Sequence, residues 1–315
     1  MINQSPFTVV AFGELLWDLL PSGPVIGGAP LNFTYRINEL GNRGHIISCV
    51  GSDTYGQQAE QHLRRWGIST EYVQCHEHLP TGTVAVTLDE QQEPHYTIVP
   101  GVAYDQIPYR SALTTLVQSA DCLCFGTLAQ RSEVSRQTLH RLLDDFSGKY
   151  LLYDVNLRPD AYTPEVIEHS LQRANLLKIN EDEATELADI CQLSASALPD
   201  IGEALLARYD LTHCLITLGE RGVLAQSADG TRCYVPTFRV DLVDPLGAGD
   251  SFTAGFTHAL LWGQPLAQAC RFGNALGASV AGQAGGTQHV EGSAVKMLIK
   301  RGLSGPIDTR FKHLF

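Results

Sequence analysis

The stretch DPLGAGDSFTAGF, Asp244–Phe256, decides how this sequence is read. Gly247, Ala248 and Gly249 run into Asp250, and a helix-like apolar pattern follows at once. Asp is a common helix N-cap and Gly is common in the turn before a helix, which accounts for an ordinary turn. Three small residues in a row need more, because they clear room for something to approach the backbone. The first turn of a helix has unpaired N–H groups and the positive end of the macrodipole, so it suits an anion. A carboxylate beside an anion is unfavourable by about 1 kcal/mol near a surface. A general base would justify that carboxylate, provided the rest of the chain supplies an anion and a proton donor.

Working outward, short apolar runs alternate with amphipathic stretches. FTVVAFG, HIISCVG, DCLCFG, KYLLYDVN, ANLLKIN and HCLITLG read as strands ended by Gly or Asn. Between them APLNFTYRINELG, YGQQAEQHLRRWG, SEVSRQTLHRLLDDF, TPEVIEHSLQRA, EDEATELADICQL and LPDIGEALLARYD read as helices, and helix dominates from Gly249 to about Ala281. This alternation predicts an α/β fold, a doubly wound and mainly parallel sheet with helices on both faces. Two segments break the rhythm. ELLWDLLPSG (Glu14–Gly23) and TGTVAVTLDEQQEPHYTIV (Thr81–Val99) read as strands without intervening helices, the second as a hairpin around DEQQEP. They predict a small β-sheet lid, from about residues 14–30 and 81–102, inserted into a single domain spanning 1–315.

The 315 residues carry a net charge of −12, with 44% hydrophobic and 18% charged residues. That balance fits a globular protein with a sizeable core and speaks against nucleic-acid and anionic-membrane partners. No apolar run reaches membrane-spanning length and the N-terminus lacks a secretory pattern, so the expected location is cytoplasmic. The eight Cys are scattered without a CxxC pair, and Cys122 and Cys124 have strand period, so they read as reduced core thiols.

The nucleotide-binding patterns GxxxxGK[ST] and GxGxxG are both absent, which disfavours a P-loop enzyme and a nicotinamide dehydrogenase. GGAPLNF (Gly27–Phe33) is a second small-residue turn opening a helix, with Pro30 suited to a first helical position. Asn32 is there either a solvated helix residue or an amide for a ligand. Asp18, inside LLWDLLP, either borders a turn or meets a hydroxyl-rich ligand, since an unpaired carboxylate is expensive to bury. YDVNLRP places Asp154, Asn156 and Arg158 at period two as a strand ends, where open α/β sheets bind ligands. Asn180 and Glu183 are spaced either for a capping box or to order a hydrated Mg²⁺. ITLGERGV (Ile216–Val223) gives a Gly-flanked turn fit for a flat base or a phosphate.

Taken together these segments resemble the ribokinase-like (PfkB) carbohydrate kinases over nearly the whole chain. GGAPLNFTYRINELGNRGHIISCVG fits the first family signature, with Gly28, Asn32, Thr34, Gly41 and Gly51 in register, and DPLGAGDSFTAGF fits the second. FGELLWDLLP, GGAPLNF and YDVNLRP look most like the bacterial fructokinase group. The resemblance implies that Gly247, Ala248 and Gly249 form an anion hole and that Asp250 is the base. It implies that Asp18, Gly28 and Asn32 bind sugar hydroxyls, that Arg158 faces the sugar or the transferring phosphate, and that Thr217, Gly219, Gly222 and Asn274 line ATP beside Gly247 and Gly249. Asn180 and Glu183 would order Mg²⁺ through water. Asp244 and carbonyls around Leu246, Ala281 and Gly286 would hold K⁺, although Pro245 stands where the signature usually has Thr. Tyr96, on the hairpin, either covers the sugar's apolar face or packs within the lid.

The expected activity is ATP-dependent phosphorylation of a sugar, foremost fructose to fructose 6-phosphate, by a chain that pairs with a second copy through the lid. Its nearest rivals are 2-keto-3-deoxygluconate, ribose or a nucleoside as acceptor. A non-catalytic sugar-binding regulator is the rival of another class, and the intact Asp250 argues against it.

Overall fold

The computed structural model describes residues 5–88 and 94–315, with the side chains of 86–88 and 94–96 excepted. The tip of the predicted hairpin, DEQQE at 89–93, lies outside the described residues. Among the described residues thirteen strands follow in chain order: β1 (Thr8–Phe12), β2 (Leu16–Leu20), β3 (Gly23–Gly27), β4 (Arg43–Gly51), β5 (Val73–His76), β6 (Gly82–Leu88), β7 (Pro94–Ile98), β8 (Cys122–Phe125), β9 (Tyr150–Asp154), β10 (Leu176–Asn180), β11 (His213–Thr217), β12 (Val223–Ser227) and β13 (Arg232–Val235). Nine of them form one sheet in the order β13-β12-β11-β10-β9-β8-β1-β4-β5. The seven from β11 to β5 are parallel, and β12 and β13 add an antiparallel edge.

Period-two burial explains why both faces are covered. Val10 and Phe12 of β1 enter one core and Val9 and Ala11 the other; on β8, Leu123 and Phe125 oppose Cys122 and Cys124 in the same way. The two thiols share a face, as their spacing predicts, and no cysteine among the described residues is in a disulfide. Chain order reverses between β1 and β8, which lie side by side although the chain passes from β1 to β4 on the other flank. Such a reversal opens a crevice at the strand C-terminal ends.

The helices that matter most to this crevice are α1 (Ala29–Glu39), α2 (Thr54–Arg65) and two late ones. The other early helices are α3 (Ser111–Gln118), α4 (Glu133–Asp145), α5 (Pro164–Arg173), α6 (Glu181–Ile190) and α7 (Leu198–Tyr209). The late pair, α8 (Ala248–Leu261) and α9 (Leu266–Ala281), packs together, and α8 also lies against α1. No helix among the described residues is long and apolar enough to cross a membrane.

The remaining strands form a four-stranded sheet, β3-β2-β6-β7. β2 pairs antiparallel with β3 but parallel with β6, matching Leu16 to Gly82 and Asp18 to Val84. One face carries Leu16, Asp18 and Val84 toward the crevice. On the other face Trp17 packs into a core with Leu31, Val50 and Leu63, and its indole N–H donates to Tyr55 O at 3.1 Å on α2.

Candidate active site

Where β1, β8, β9 and β10 end, the two sheets enclose a cleft of about 1020 Å³. Its walls include Asp18, Gly28, Asn32, Arg158, Lys178, Gly247, Gly249 and Asp250. Residues from five separate stretches of sequence therefore meet in one place.

The small-residue turn begins its helix earlier than the sequence suggests. α8 starts at Ala248, so Gly249 and Asp250 already sit in its first turn. Gly247 is the N-cap at φ 73°, and a Cβ there would stand 2.6 Å from Gly286 Cα, so only Gly fits. Ala248 N–H donates to Pro245 O and Ser251 N–H to Gly247 O. The N–H groups of Gly249 and Asp250 are left without a backbone acceptor, at the positive end of a 14-residue helix. That is an anion-binding arrangement.

Asp250 accepts a hydrogen bond from Asn32 Nδ2 at 2.8 Å. Burial pushes its carboxyl up to about 6, and nearby Asp154 pushes the same way, while Asn32, Lys178 and Arg158 pull it down. A carboxylate poised near 6 is ionised at neutral pH yet basic enough to take a proton. Asn32 itself is 4% exposed, on the first turn of α1, which Ala29 starts and Pro30 continues. Its Oδ1 is buried with no donor, which is costly unless a ligand supplies one. Gly28 lies at φ 112°, and a Cβ there would meet Glu14 O at 2.5 Å. Asp18 hangs from β2 into the cleft, and burial raises it to about 6.

Two functional features escaped the sequence reading. Glu14, 5% exposed in the bend after β1, accepts from Ala29 N–H at 3.2 Å and is raised by burial to about 7. Beneath the anion site, Lys178 Nζ meets Asp154 Oδ1 at 2.9 Å, and Thr253 of α8 donates to Asp154 Oδ2 at 2.8 Å. Burial would lower the lysine, but Asp154 and Glu183 outweigh it and hold the ammonium up at about 12. A charged residue in each of the apolar runs FGELLWD and NLLKIN was the signal available.

The period-two reading of YDVNLRP needs correction. β9 ends at Asp154 and Asn156 turns to φ 45°, so the chain leaves the strand before Arg158. Asn156 and Arg158 still reach the cleft, from a loop, with Arg158 exposed. Tyr96 stands opposite Val86 in the small sheet, and its side chain lies outside the described residues.

A second group of expected residues gathers elsewhere. Thr217 ends β11 and donates to Ile179 O at 3.2 Å; Gly219 opens the turn that Gly222 closes at φ 103°. A Cβ at Gly222 would stand 2.1 Å from Val235 O, and Asn274 Nδ2 of α9 donates to that same carbonyl at 2.9 Å. These four form one wall, and none of them lines the large cleft.

Asn180 and Glu183 make the reciprocal capping box of α6. Glu183 also accepts from Leu157 N–H at 3.0 Å, so both carboxylate oxygens hold backbone. As direct metal ligands they do not fit, and among the described residues no group of three or more His, Cys, Asp or Glu is placed to hold a metal. Apart from the Leu246 carbonyl, the donors expected for K⁺ are likewise engaged. Asp244 accepts from Leu246 and Gly285 N–H, Ala281 O from Val243 and Asp244 N–H, and Gly286 O from Arg36.

An open parallel sheet, a helix start suited to an anion and a raised carboxylate beside it fit an enzyme that moves a phosphoryl group onto a hydroxyl. Residues 24–291 match the model of the pfkB family carbohydrate kinases, and the chain belongs to that family. It is a sugar kinase, a phosphotransferase. Fructokinase of Salmonella typhimurium is 27% identical over 264 residues, covering 80% of this chain and 84% of its own length. Probable fructokinase-3 of Arabidopsis thaliana is 27% identical over 299 residues, covering 86% and 84%. Among solved structures, a Xylella fastidiosa fructokinase with bound ATP superposes at TM-score 0.82 and 21% identity, covering 93% of this chain and 98% of that one. A Vibrio cholerae fructokinase mutant carrying fructose, ADP and a potassium ion gives 0.80 and 21%, covering 94% and 99%. These two likenesses concern the fold.

Proposed function

We propose that this kinase transfers the γ-phosphoryl group of ATP to fructose, giving fructose 6-phosphate and ADP. The observation that carries the reading is the Asn32 side chain, whose nitrogen is fixed on Asp250 while its buried oxygen waits for a donor. A sugar hydroxyl donating there comes within reach of Asp250. Asp250 takes the hydroxyl proton as the oxygen attacks the γ-phosphorus, the bond to the ADP oxygen breaks, and the free N–H groups of Gly249 and Asp250 stabilise the developing charge. Asp18 and the Gly28 backbone bind further hydroxyls, and the Thr217–Gly222 wall with Asn274 takes the nucleotide. A divalent cation bound with ATP would offset part of the phosphate charge, and Asn180 and Glu183 would reach it only through water. The small sheet acts as a lid that closes over the sugar and excludes water.

The charge inventory favours a neutral sugar. Arg131 lines the cleft, but its guanidinium is held by both oxygens of Asp105, at 2.8 and 2.9 Å. Lys178 is likewise held, by Asp154 at 2.9 Å, so a sugar acid would be left with Arg158 against Glu14, Asp18 and Asp250. The test is ADP release with ATP across fructose, ribose, a nucleoside and 2-keto-3-deoxygluconate. Fructose should lead in kcat/KM; a clear win for the acid sugar overturns the fructose assignment.

A further inference from the structure

Arg36 is 0% exposed, one helical turn beyond Asn32 on α1. Its Nε donates to Ser251 Oγ at 3.2 Å, one terminal nitrogen to Gly286 O at 2.8 Å and the other to Glu39 at 2.6 Å. Ser251 follows Asp250, and Gly286 is the residue pressed against Gly247. The guanidinium therefore lies one layer below the Asn32–Asp250 contact and grips both segments that shape the phosphate turn. Glu39 completes the clamp, accepting from Val290 N–H at 3.0 Å and meeting His289 Nδ1 at 2.6 Å. Burying a charge is expensive, and a charge so placed acts on its surroundings with little screening from solvent.

We propose that Arg36 is the resident cation of the phosphate-binding turn. It orders by covalent attachment what a dissociable K⁺ would order, and catalysis by this chain does not depend on a monovalent cation. The proposal rests on the phosphoryl-transfer reading above. It follows from the engaged donors around Asp244, and from the guanidinium already seated on Gly286 O, one of the carbonyls expected to hold K⁺. Arg36 is a positioning residue: it touches none of the reacting groups and acts through Ser251 and Gly286.

The test begins with the wild-type chain in chloride salts of K⁺, Na⁺ and tetramethylammonium at constant ionic strength. Both kcat and the Kd of ADP measured by calorimetry should agree within about twofold, whereas a needed cation, the largest local charge in such a site, would change them well beyond that. A K⁺ stimulation or a tightening of ADP above about fivefold overturns the proposal. Arg36→Ala should lower kcat about 10- to 100-fold, less than deleting a direct oxyanion donor, with sugar KM little changed. Low millimolar guanidinium chloride, against equal NaCl, should restore much of the loss. Unchanged kcat, or a loss without rescue, overturns it. Arg36→Gln keeps donors and drops the charge, so it serves if the alanine variant does not fold; wild-type kcat in Arg36→Gln also overturns the proposal. If no sugar is turned over at all, the phosphoryl-transfer reading fails, while the ADP measurements still report on Arg36.

Discussion

Replacing Asp250 by Asn should make this protein more stable and nearly inactive at once. The carboxyl rises from 3.8 to about 6 on folding, chiefly because it is buried. A folded-state pKa above the unfolded one means that the fold binds the proton more tightly, so ionised Asp250 opposes folding at neutral pH. The shift corresponds to at most about 3 kcal/mol, less what solvent in the open cleft screens. Asn removes the charge and keeps an oxygen to accept from Asn32 Nδ2. The gain should be full above about pH 6 and vanish as pH falls toward 3.8. Calorimetry at pH 7.5 and pH 4.5 should then give a melting temperature raised by several degrees in the first buffer and nearly unchanged in the second, since 1 kcal/mol is worth roughly 2 °C in a chain of this size. Coupled ADP release should show kcat down by roughly 10²–10⁴, the usual worth of a general base. A variant that melts lower at pH 7.5, or that turns over at the wild-type rate, would refute the assignment of Asp250 as a buried base.

Wild-type kcat/KM should fall about tenfold per pH unit below about pH 6, where Asp250 gains its proton, and more steeply if Asp18 must also be ionised; a limb near pH 4 would contradict the raised carboxyls. Asp18→Ala should raise sugar KM at least about tenfold and leave ATP KM nearly unchanged, as the loss of a hydrogen bond to a charged group implies. Lys178→Met should cost about 3–5 kcal/mol by stranding Asp154, and Lys178→Met with Asp154→Asn should recover much of it in urea unfolding. Hydrogen exchange in β2, β3, β6 and β7 should slow when sugar binds, and protection confined to Gly247–Asp250 would count against a closing lid.

The parallel sheet was legible because six of its strands are apolar runs bounded by Gly or Asn, with α1, α2 and α4–α7 between them. What escaped has physical reasons. β12 and β13 form an antiparallel edge, and Val223–Ser227 is buried throughout although it follows a turn that reads as a loop. β5 and α3 are short, four and eight residues, too brief for periodicity to register. The site divided along the same line. Gly247–Asp250, Asn32 and Asp18 stood out because small residues and lone polar groups in apolar runs are locally anomalous. The Asp154–Lys178 pair joins neighbouring strands in the sheet, and the grip of Arg36 on Gly286 spans 250 positions, so neither has a local signature.

The small sheet is not a module that can be cut out. The chain enters it at Gly13–Leu15, leaves between Gly27 and Ala29, re-enters before Gly82 and leaves again after Ile98, so four covalent links tie it to the large sheet. Its central pairing is parallel, Leu16 beside Gly82, and no tight turn joins parallel neighbours. A nascent chain therefore carries β2 and β3 as an unpartnered hairpin until residues 82–98 emerge. By then β1, β4 and β5 are already made, and they fix where the two hairpins can meet. The cleft carboxylates Glu14 and Asp18 lie on the first of those links and on the strand it feeds. The large sheet thus acts as the template on which this side of the cleft is assembled, and lesions in β1 or β4 should appear first as lost sugar binding.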